Sequence, residues 1–311
     1  MEREYELVVV GGGAAGLAAA QYGARANLRT LLVEEMAPGG QALLIDGLEN
    51  YPGLVGPVSG YAFSEAMRSQ AESFGAGFLT ATVSGLRKEG GRFGIETSEG
   101  ELSALAVVLA TGAKHRHLGV PGEEEFSGRG VSYCATCDGP FFKGRRIVVV
   151  GGGDAACDEA MYLAKLSDRV LMVHRKDRFR AQKALAERVL SNPGIEVRFE
   201  TVVAEIRGEK KVGSVLLERV GKGERHEEPA DAVFVFVGSV PQTALVPEVR
   251  KDEAGSILTD ERMATSLPGL FAAGDVRATP FRQIVTSCAD GAIAAHYASR
   301  YIDELRGSAY A

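Results

Sequence analysis

A strand-turn-helix pattern that occurs twice constrains this chain of 311 residues more than any other feature. The string VVVGGG at residues 8–13 recurs at residues 148–153, and both copies follow apolar residues and precede a segment of helical composition. Short β-branched runs of this kind are typical of strands buried on both faces of a parallel sheet. The duplication therefore predicts an α/β fold with two Rossmann-like dinucleotide-binding domains.

The first copy has the spacing GxGxxG between a predicted strand and a predicted helix. Gly11 allows the tight turn, Gly13 lets a pyrophosphate approach the backbone, and Gly16 permits close packing of helix and strand. Helix N–H groups are then free to hold phosphates. Glu34 ends the next apolar run and can accept hydrogen bonds from ribose hydroxyls. The contacts predicted for this copy are Gly11, Gly13, Ala14, Ala15, Gly16 and Glu34.

In the second copy a basic cluster takes the place of the ribose-binding acid. The offset of 140 residues puts His174 where the first copy has Glu34, and Arg175, Lys176 and Arg180 follow it. Cationic side chains pair with a 2′-phosphate, whereas a carboxylate repels it. A solvated helix start is the alternative, but the register favours NADPH. The contacts predicted here are Gly151, Gly153, Asp154, Ala155, His174, Arg175, Lys176 and Arg180.

Between the copies lies the string Cys134-Ala135-Thr136-Cys137-Asp138. Two thiols at this spacing can close a disulfide over one turn, and the adjoining Asp138 could move the proton that thiol exchange requires. Half of a zinc site is the alternative, but it needs a second Cys/His pair at ligand spacing. The two other cysteines, Cys157 and Cys288, are singly placed, and we expect both to be buried and inert. We predict a redox pair and no metal.

Charge and composition exclude several classes of protein. The net charge of -6 argues against a general nucleic-acid binder, and no apolar run reaches the roughly 18 residues of a membrane span. The charged N-terminus lacks the apolar core of a secretory signal, and four cysteines make no disulfide framework. These features predict a cytoplasmic protein with soluble partners.

Three small-residue segments have two interpretations each on composition alone. The turns around Gly39-Gly40-Gln41, Ala110-Thr111-Gly112 and Gly274-Asp275 either pass close to a cofactor or are ordinary turns, and Asp275 could simply cap the following helix. Five motifs together, however, resemble the low-molecular-weight thioredoxin reductases. They are GGGAAG, GGQ with ENYPG, CATCD, GGGDAA with HRKDRFRA, and AAGDV with RQ.

This resemblance covers essentially the whole chain and implies FAD as the first cofactor. Electrons would pass from NADPH to FAD, to the Cys134/Cys137 disulfide, and on to the disulfide of a small thioredoxin. Cys137 would lie nearer the flavin, Cys134 would attack thioredoxin, and Asp138 would be the proton donor and acceptor. Lys176 stands where the family often has Arg, which could weaken the preference for a 2′-phosphate. The remaining FAD contacts expected are Gly40, Gln41, Asn50, Val83, Thr111, Gly112, Gly274, Asp275, Arg282 and Gln283.

The order of the motifs predicts that one domain is inserted into the other. Residues 1–116 and 245–311 should form a discontinuous FAD domain, and residues 117–244 the NADPH domain with the CxxC. The domains would rotate about hinges near residues 114–120 and 240–246, and the resemblance implies a homodimer through the FAD domains. Two rivals are a related flavin disulfide reductase with a glutaredoxin-like or peroxidase-linked partner, and a flavin redox sensor that is not an enzyme.

Overall fold

The computed structural model describes residues 3–45, 47–48 and 50–307, with the side chain of Cys137 outside the description. The chain divides into two compact units. Unit 1 runs to Lys114 and resumes at Val240, and unit 2 is His115–Ser239. The boundaries predicted from the sequence, after residues 116 and 244, lie slightly later in the chain than these two crossings.

The helices and strands are numbered in chain order. The α-helices are α1 (Ala14–Arg25), α2 (Gly60–Ser73), α3 (Ala135–Asp138), α4 (Asp154–Leu166), α5 (Lys183–Ser191) and α6 (Ile284–Leu305). Three 3-10 helices span Gly40–Leu44, Gly139–Phe142 and Gly274–Val276. The strands are β1 (Glu4–Val10), β2 (Thr30–Glu34), β3 (Gly77–Thr80), β4 (Val83–Glu89), β5 (Arg92–Thr97), β6 (Gly100–Leu109), β7 (Ala113–His115), β8 (Val131–Ser132), β9 (Ile147–Gly151), β10 (Val170–Val173), β11 (Ile195–Arg198), β12 (Thr201–Gly208), β13 (Val212–Arg219), β14 (Arg225–Pro229), β15 (Ala232–Phe236), β16 (Ser239–Pro241) and β17 (Leu270–Ala272).

Unit 1 is built on a mixed sheet that runs β3-β2-β1-β6-β5-β4, with β17 also paired to β6. Strands β3, β2, β1, β6 and β17 are parallel, and the β4-β5-β6 meander is antiparallel. The four residues Leu7–Val10 are all buried, as expected for a central parallel strand. Helices α1 and α6 cover one face of the sheet, and part of the 245–276 segment covers the other.

Unit 2 repeats this arrangement on a smaller scale. Its parallel sheet has the order β11-β10-β9-β15-β8. Helices α4 and α5 pack on one face, and the antiparallel sheet β12-β13-β14 packs on the other.

The chain crosses between the units at two places, and each crossing is held by backbone hydrogen bonds. In unit 1 the Gln242 N–H donates to the carbonyl of Gly112 at 2.9 Å, and in unit 2 the Arg116 N–H donates to that of Gly238 at 2.9 Å. In the part of the chain that the structure describes, no helix is long and apolar enough to span a membrane.

Candidate active site

The turn between β1 and α1 has the shape that the first fingerprint predicts. Gly11 has φ +102°, and a Cβ there would collide with the carbonyl of Ala110. A Cβ at Gly16 would collide with the carbonyl of Gly11, so both positions require glycine. A Cβ at Gly13 would meet nothing within 4 Å, and no side chain caps α1. The first N–H groups of α1 therefore point at a space that an anionic group can approach.

Glu34 lies at the end of β2 beside this turn. Its Oε2 accepts the N–H of Gly12 at 2.6 Å, and its Oε1 accepts the N–H of Met36 at 3.1 Å. The two backbone donors fix the orientation of the carboxylate. Its remaining acceptor capacity suits ribose hydroxyls.

The GGQ segment lies against the fingerprint. The Gly39 N–H donates to the carbonyl of Gly12 at 2.7 Å, and a Cβ at Gly40 would lie 3.0 Å from the Cα of Gly13. Gln41 reaches the start of β7, because its Nε2 donates to the carbonyl of Ala113 at 2.8 Å. The GGQ segment, which composition alone left open between a cofactor contact and an ordinary turn, therefore lies beside the first glycine turn.

The Ala110-Thr111-Gly112 turn is tied to the return of the chain by Gln242. The Thr111 hydroxyl donates to the Gln242 carbonyl at 2.7 Å, and Gln242 Nε2 donates to the Thr111 carbonyl at 2.9 Å. Sequence analysis missed Gln242, although it directly follows Pro241, where the chain re-enters unit 1. A second long-range tie joins two predicted contacts, since Asn50 Nδ2 donates to Gln283 Oε1 at 3.0 Å.

Two of the predicted FAD contacts take no part in these hydrogen bonds. Val83 is a partly buried residue at the edge of the core, and Arg282 is exposed. Among residues 3–45, 47–48 and 50–307, no hydrogen bond links either side chain to the other predicted FAD contacts.

The Gly274-Asp275 turn meets the start of α1. Gly274 has φ +75°, and a Cβ there would lie 2.9 Å from the Cβ of Ala15. Burial raises the pKa of Asp275, an effect opposed by nearby Arg282. The Gly274 N–H donates to Oδ2 of Asp290, a buried acid on α6 that also accepts Arg277 Nη1 at 3.0 Å. Sequence analysis missed Asp290 and Arg277, but a lone acid inside an apolar helical run is a signal for such a partner.

Unit 2 forms a second cradle with the same geometry. A Cβ at Gly151 would collide with the carbonyl of Phe236, whereas one at Gly153 would meet nothing within 4 Å. Helix α4 begins at Asp154 without a side-chain cap, and Ala155 is exposed. The Asp154 carboxylate instead accepts the N–H of Gln182 at 2.7 Å. The cradle thus combines free helix N–H groups with close approach to the backbone.

The basic cluster after β10 is exposed except for His174. In the described part of the chain, Arg175, Lys176 and Arg180 form no ion pair with a carboxylate. His174 is buried, and its ring packs against Gly152 so closely that a Cβ there would collide with it. Its Nε2 is buried without a hydrogen-bond partner, so it could serve a cofactor oxygen. Burial lowers the pKa of His174, and Arg180 and Arg175 lower it further.

The dithiol segment lies at the same edge of the unit 2 sheet as the second cradle. Strands β9 and β8 are both parallel to β15, which lies between them. The carboxyl ends of parallel strands meet at one edge, where such sheets bind ligands. CATCD follows the end of β8, and GGGDAA begins at Gly151, the last residue of β9. With neighbouring strands about 4.8 Å apart, the two segments begin about 10 Å from each other.

Cys134 is disulfide-bonded, half-buried and held by its neighbours. Its N–H donates to the Ser132 hydroxyl at 3.1 Å, its Sγ lies 3.4 Å from the Thr136 hydroxyl, and the Asp138 N–H donates to its carbonyl at 3.2 Å. The side chain of Cys137, the other predicted redox residue, lies outside the described residues.

The two other cysteines are free thiols. Cys157 is buried as predicted, and burial raises its pKa to about 12. Cys288 was predicted to be buried, but it is only half-buried, because α6 turns it toward the Ala14 carbonyl at 3.8 Å rather than into the core. No group of three or more His, Cys, Asp or Glu residues that could hold a metal is present within the described ranges.

Comparisons with known proteins agree with this geometry. A model of the pyridine nucleotide-disulphide oxidoreductase family matches residues 5–293. The thioredoxin reductase of Treponema pallidum is 57% identical over 306 residues, which is 98% of this chain and 100% of that protein. The chain belongs to the thioredoxin reductase family of disulphide oxidoreductases. The thioredoxin reductase of Listeria innocua is 46% identical, with 98% of this chain and 96% of that one aligned.

Solved thioredoxin reductases have the same fold as this family member. The crystal structure of the Lactococcus lactis enzyme in the FR conformation has a TM-score of 0.94 at 41% identity, covering 96% of this chain and 99% of that one. The T. acidophilum enzyme has a TM-score of 0.91 at 35% identity, covering 98% and 100%. These findings confirm the predicted family, the two Rossmann-like domains and the enzyme class, thioredoxin-disulfide reductase. They also imply a flavin and a nicotinamide cofactor.

In this reductase a buried carboxylate supports the residue that precedes Cys134. Glu123 accepts the N–H groups of Leu118 and Gly119 at 2.8 and 2.7 Å, and the Tyr133 hydroxyl at 2.8 Å. The same hydroxyl lies 2.7 Å from Nδ1 of His117. Burial and the hydrogen bond to Glu123 raise the pKa of Tyr133, so the phenol stays protonated. Sequence analysis missed Tyr133 and Glu123.

A second acid of the reductase lies on helix α4, which packs against the segment that follows the dithiol. Glu159 is on α4, three and four residues before Tyr162 and Leu163, which a Cβ at Gly139 would meet at 3.3 and 3.0 Å. Residues at this spacing share a helix face, so Glu159 faces the segment after the dithiol. Its Oε2 is buried without a hydrogen-bond partner, and burial and Asp158 raise its pKa to about 7.

Proposed function

We propose that this reductase uses NADPH and FAD to reduce the disulfide of Cys134 and Cys137, and then passes the electrons to the disulfide of thioredoxin. The observation that carries this proposal is the pair of cradles with opposite chemistry at the same register. One cradle ends in the carboxylate of Glu34, and the other ends in an exposed basic cluster. The disulfide-bonded Cys134 lies at the sheet edge of the second cradle.

The cradle of unit 1 fits FAD. Its backbone N–H groups and open glycine face would bind the pyrophosphate, and Glu34 would bind the adenosine ribose. Hydrogen bonds also hold three of the other proposed FAD contacts, since Gln41 bonds to Ala113 and Asn50 bonds to Gln283. The Asp275 carboxylate would accept a hydrogen bond from a hydroxyl of the ribityl chain. Bound there, a flavin supplies a two-electron carrier between a reduced nicotinamide and a disulfide.

The cradle of unit 2 fits NADPH. Arg175, Lys176 and Arg180 would hold the 2′-phosphate from the surface, where no carboxylate of the described chain competes for them. His174 would contribute Nε2 from below the glycine turn. This arrangement disfavours NADH, which lacks the 2′-phosphate.

The exchange with thioredoxin begins once Cys134 and Cys137 are both reduced. The thiolate of Cys134 attacks one sulfur of the thioredoxin disulfide and forms a mixed disulfide, and the released sulfur takes up a proton. The thiolate of Cys137 then attacks Cys134, which closes the internal disulfide and releases thioredoxin as a dithiol. Asp138 would supply the proton to a leaving thiolate and accept the proton of the attacking thiol. Electrons and protons balance, since one disulfide is reduced as the other forms.

Phe141 provides an apolar contact for the protein substrate. It is 80% exposed and lies four residues after Cys137, within the 3-10 helix Gly139–Phe142. A large exposed aromatic beside a reactive disulfide suits docking, because aromatic anchors dominate the energy of protein interfaces. We place the thioredoxin contact there.

Reduction by FAD and exchange with thioredoxin cannot occupy the same face of the dithiol at once. We therefore propose that unit 2 rotates between the half-reactions, with hinges at residues 114–120 and 240–246. We also propose a homodimer through the FAD domains. The two free thiols, Cys157 and Cys288, suit a reducing compartment such as the cytoplasm.

The deciding experiment compares the parent enzyme with Cys134→Ser. NADPH should bleach the flavin absorbance of both, but only the parent should reduce thioredoxin. Cys157→Ala, which changes a free buried thiol, is the control and should retain turnover. A flavin that NADPH does not reduce would refute the cofactor assignment. Reduction of a glutaredoxin-like protein, with none of thioredoxin, would refute the assigned partner.

A further inference from the structure

Helix α6 carries one carboxylate inside its apolar stretch. Asp290 is 9% exposed, and its Oδ2 lies 3.0 Å from Nη1 of Arg277. The Arg277 side chain is likewise mostly buried, and its Nε donates to the Thr259 hydroxyl at 2.8 Å. An ion pair with this little solvent is stable only as a pair, because either charge alone would be costly to bury.

The pair lies where three elements of unit 1 meet. Oδ2 of Asp290 also accepts the N–H of Gly274 at 3.2 Å, and Gly274 lies so close to the start of α1 that a Cβ on it would be 2.9 Å from the Cβ of Ala15. The next residue on α6 is Gly291, where a Cβ would collide with the carbonyl of Ala15. Helices α1 and α6 are therefore in backbone contact beside Asp290. The carboxylate ties the Gly274-Asp275 turn to the first fingerprint, although the two segments are far apart in sequence.

The charge of Arg277 matters as much as its hydrogen bonds. Asp290 lies near Asp275, because it accepts the N–H of Gly274, the residue that directly precedes Asp275. The negative charge of Asp290 also contributes to raising the pKa of Asp275. The pyrophosphate proposed for this cradle adds further negative charge. Arg277 offsets the charge of Asp290, so the turn keeps its carboxylate partner without a net repulsion of an anionic cofactor.

We propose that Asp290 and Arg277 are positioning residues of the FAD site, which hold the Gly274-Asp275 turn against the start of α1 in the geometry that binds the cofactor. The proposal rests on the assignment of FAD to unit 1. Neither side chain needs to touch the flavin. Their effect on the cofactor would pass through Gly274, which has a positive φ, lies close to Ala15 and directly precedes Asp275.

The test measures FAD affinity of the flavin-free full chain, by quenching of FAD fluorescence, in Asp290→Asn, Arg277→Gln and the double variant. Each single variant should lower the affinity about tenfold, because it leaves one buried charge without its partner. The FAD affinity of the double variant should fall by less than the product of the two single-variant factors, because no buried charge is left without its partner. Glu72→Gln, which breaks an exposed pair with Arg68 on α2, is the control and should bind FAD as the parent does.

Thermal unfolding of the flavin-free variants separates positioning from simple stabilisation. A loss of stability in the single variants with FAD affinity within twofold of the parent would overturn the proposal. The proposal would also be overturned if the FAD affinity of the double variant fell by the full product of the two single-variant factors. If the parent chain itself does not bind FAD, the proposed function fails instead, so the two failures are distinguishable.

Discussion

Glu159→Gln should abolish a pH-dependent loss of stability in unit 2. The folded carboxyl keeps its proton up to about pH 7, whereas the unfolded one loses it near the ordinary value of 4.5. Between these values the unfolded state binds fewer protons than the folded state, so rising pH favours unfolding. Glutamine has almost the same shape but does not titrate, and therefore does not incur this penalty.

The size of the effect follows from the two pKa values. Each pKa unit corresponds to about 1.4 kcal/mol, so the full penalty above pH 7 is about 3 kcal/mol. Part of it is already present at pH 5. Between pH 5 and pH 8.5 the variant should therefore gain about 2 to 3 kcal/mol of unfolding free energy relative to the parent.

Urea unfolding followed by circular dichroism, repeated across this pH range, measures the difference. Glu187→Gln on α5 removes an exposed acid, and its curve corrects for the general effect of losing one negative charge. A difference between parent and Glu159→Gln that stays constant within about 0.5 kcal/mol over the range would show that Glu159 is ionised in the folded enzyme. The burial argument would then be wrong.

Three further predictions concern docking, support of the dithiol and cofactor choice. Phe141→Ala should raise the KM for thioredoxin about tenfold, because it removes the exposed aromatic anchor, and should leave reduction of the flavin by NADPH unchanged in stopped-flow absorbance. Tyr133→Phe should destabilise unit 2 by about 1 to 3 kcal/mol in urea unfolding, because buried Glu123 loses a donor. Arg175→Gln and Lys176→Gln should each raise the KM for NADPH but not for NADH, with a smaller effect at high salt.

Each of these predictions has a clear contrary result. Equal KM values for thioredoxin in the parent and Phe141→Ala would remove Phe141 from the docking surface. Unchanged urea midpoints in Tyr133→Phe would show that water replaces the phenol at Glu123. Equal losses for NADPH and NADH would mean that Arg175 and Lys176 do not contact the 2′-phosphate.

Much of the fold was predictable because its signals are local. The runs Leu7–Val10 and Ile147–Val150 are apolar and mostly β-branched, and each leads directly into a glycine turn. This pattern defines a buried parallel strand and the helix after it. Glycine at residues 11 and 16 is a steric requirement of the first turn, where a Cβ at either position would collide with a backbone carbonyl. The basic residues after β10 could be compared with Glu34 because the repeat fixed their register.

Residues that act through long-range contacts were not predictable. Gln242, Asp290 and Glu123 are single polar side chains outside any motif, and their roles depend on segments that meet only in the folded chain. For His174 the sequence identified the position but not the environment of the side chain. The repeat identified its position, but only packing against Gly152 shows that it lies below the cradle rather than on its surface.

The sequence alone predicted the family, which the comparisons confirm, and it singled out the two glycine turns and the CxxC segment that carry the proposed sites, because strand burial, glycine turns and CxxC spacing each depend on a few consecutive residues. The tertiary structure alone decided which polar groups support them. Hydrogen bonds and buried ion pairs require atoms within about 3 Å, and a pKa such as that of Glu159 depends on burial by residues distant in sequence. These properties arise only when the sheets and helices pack together.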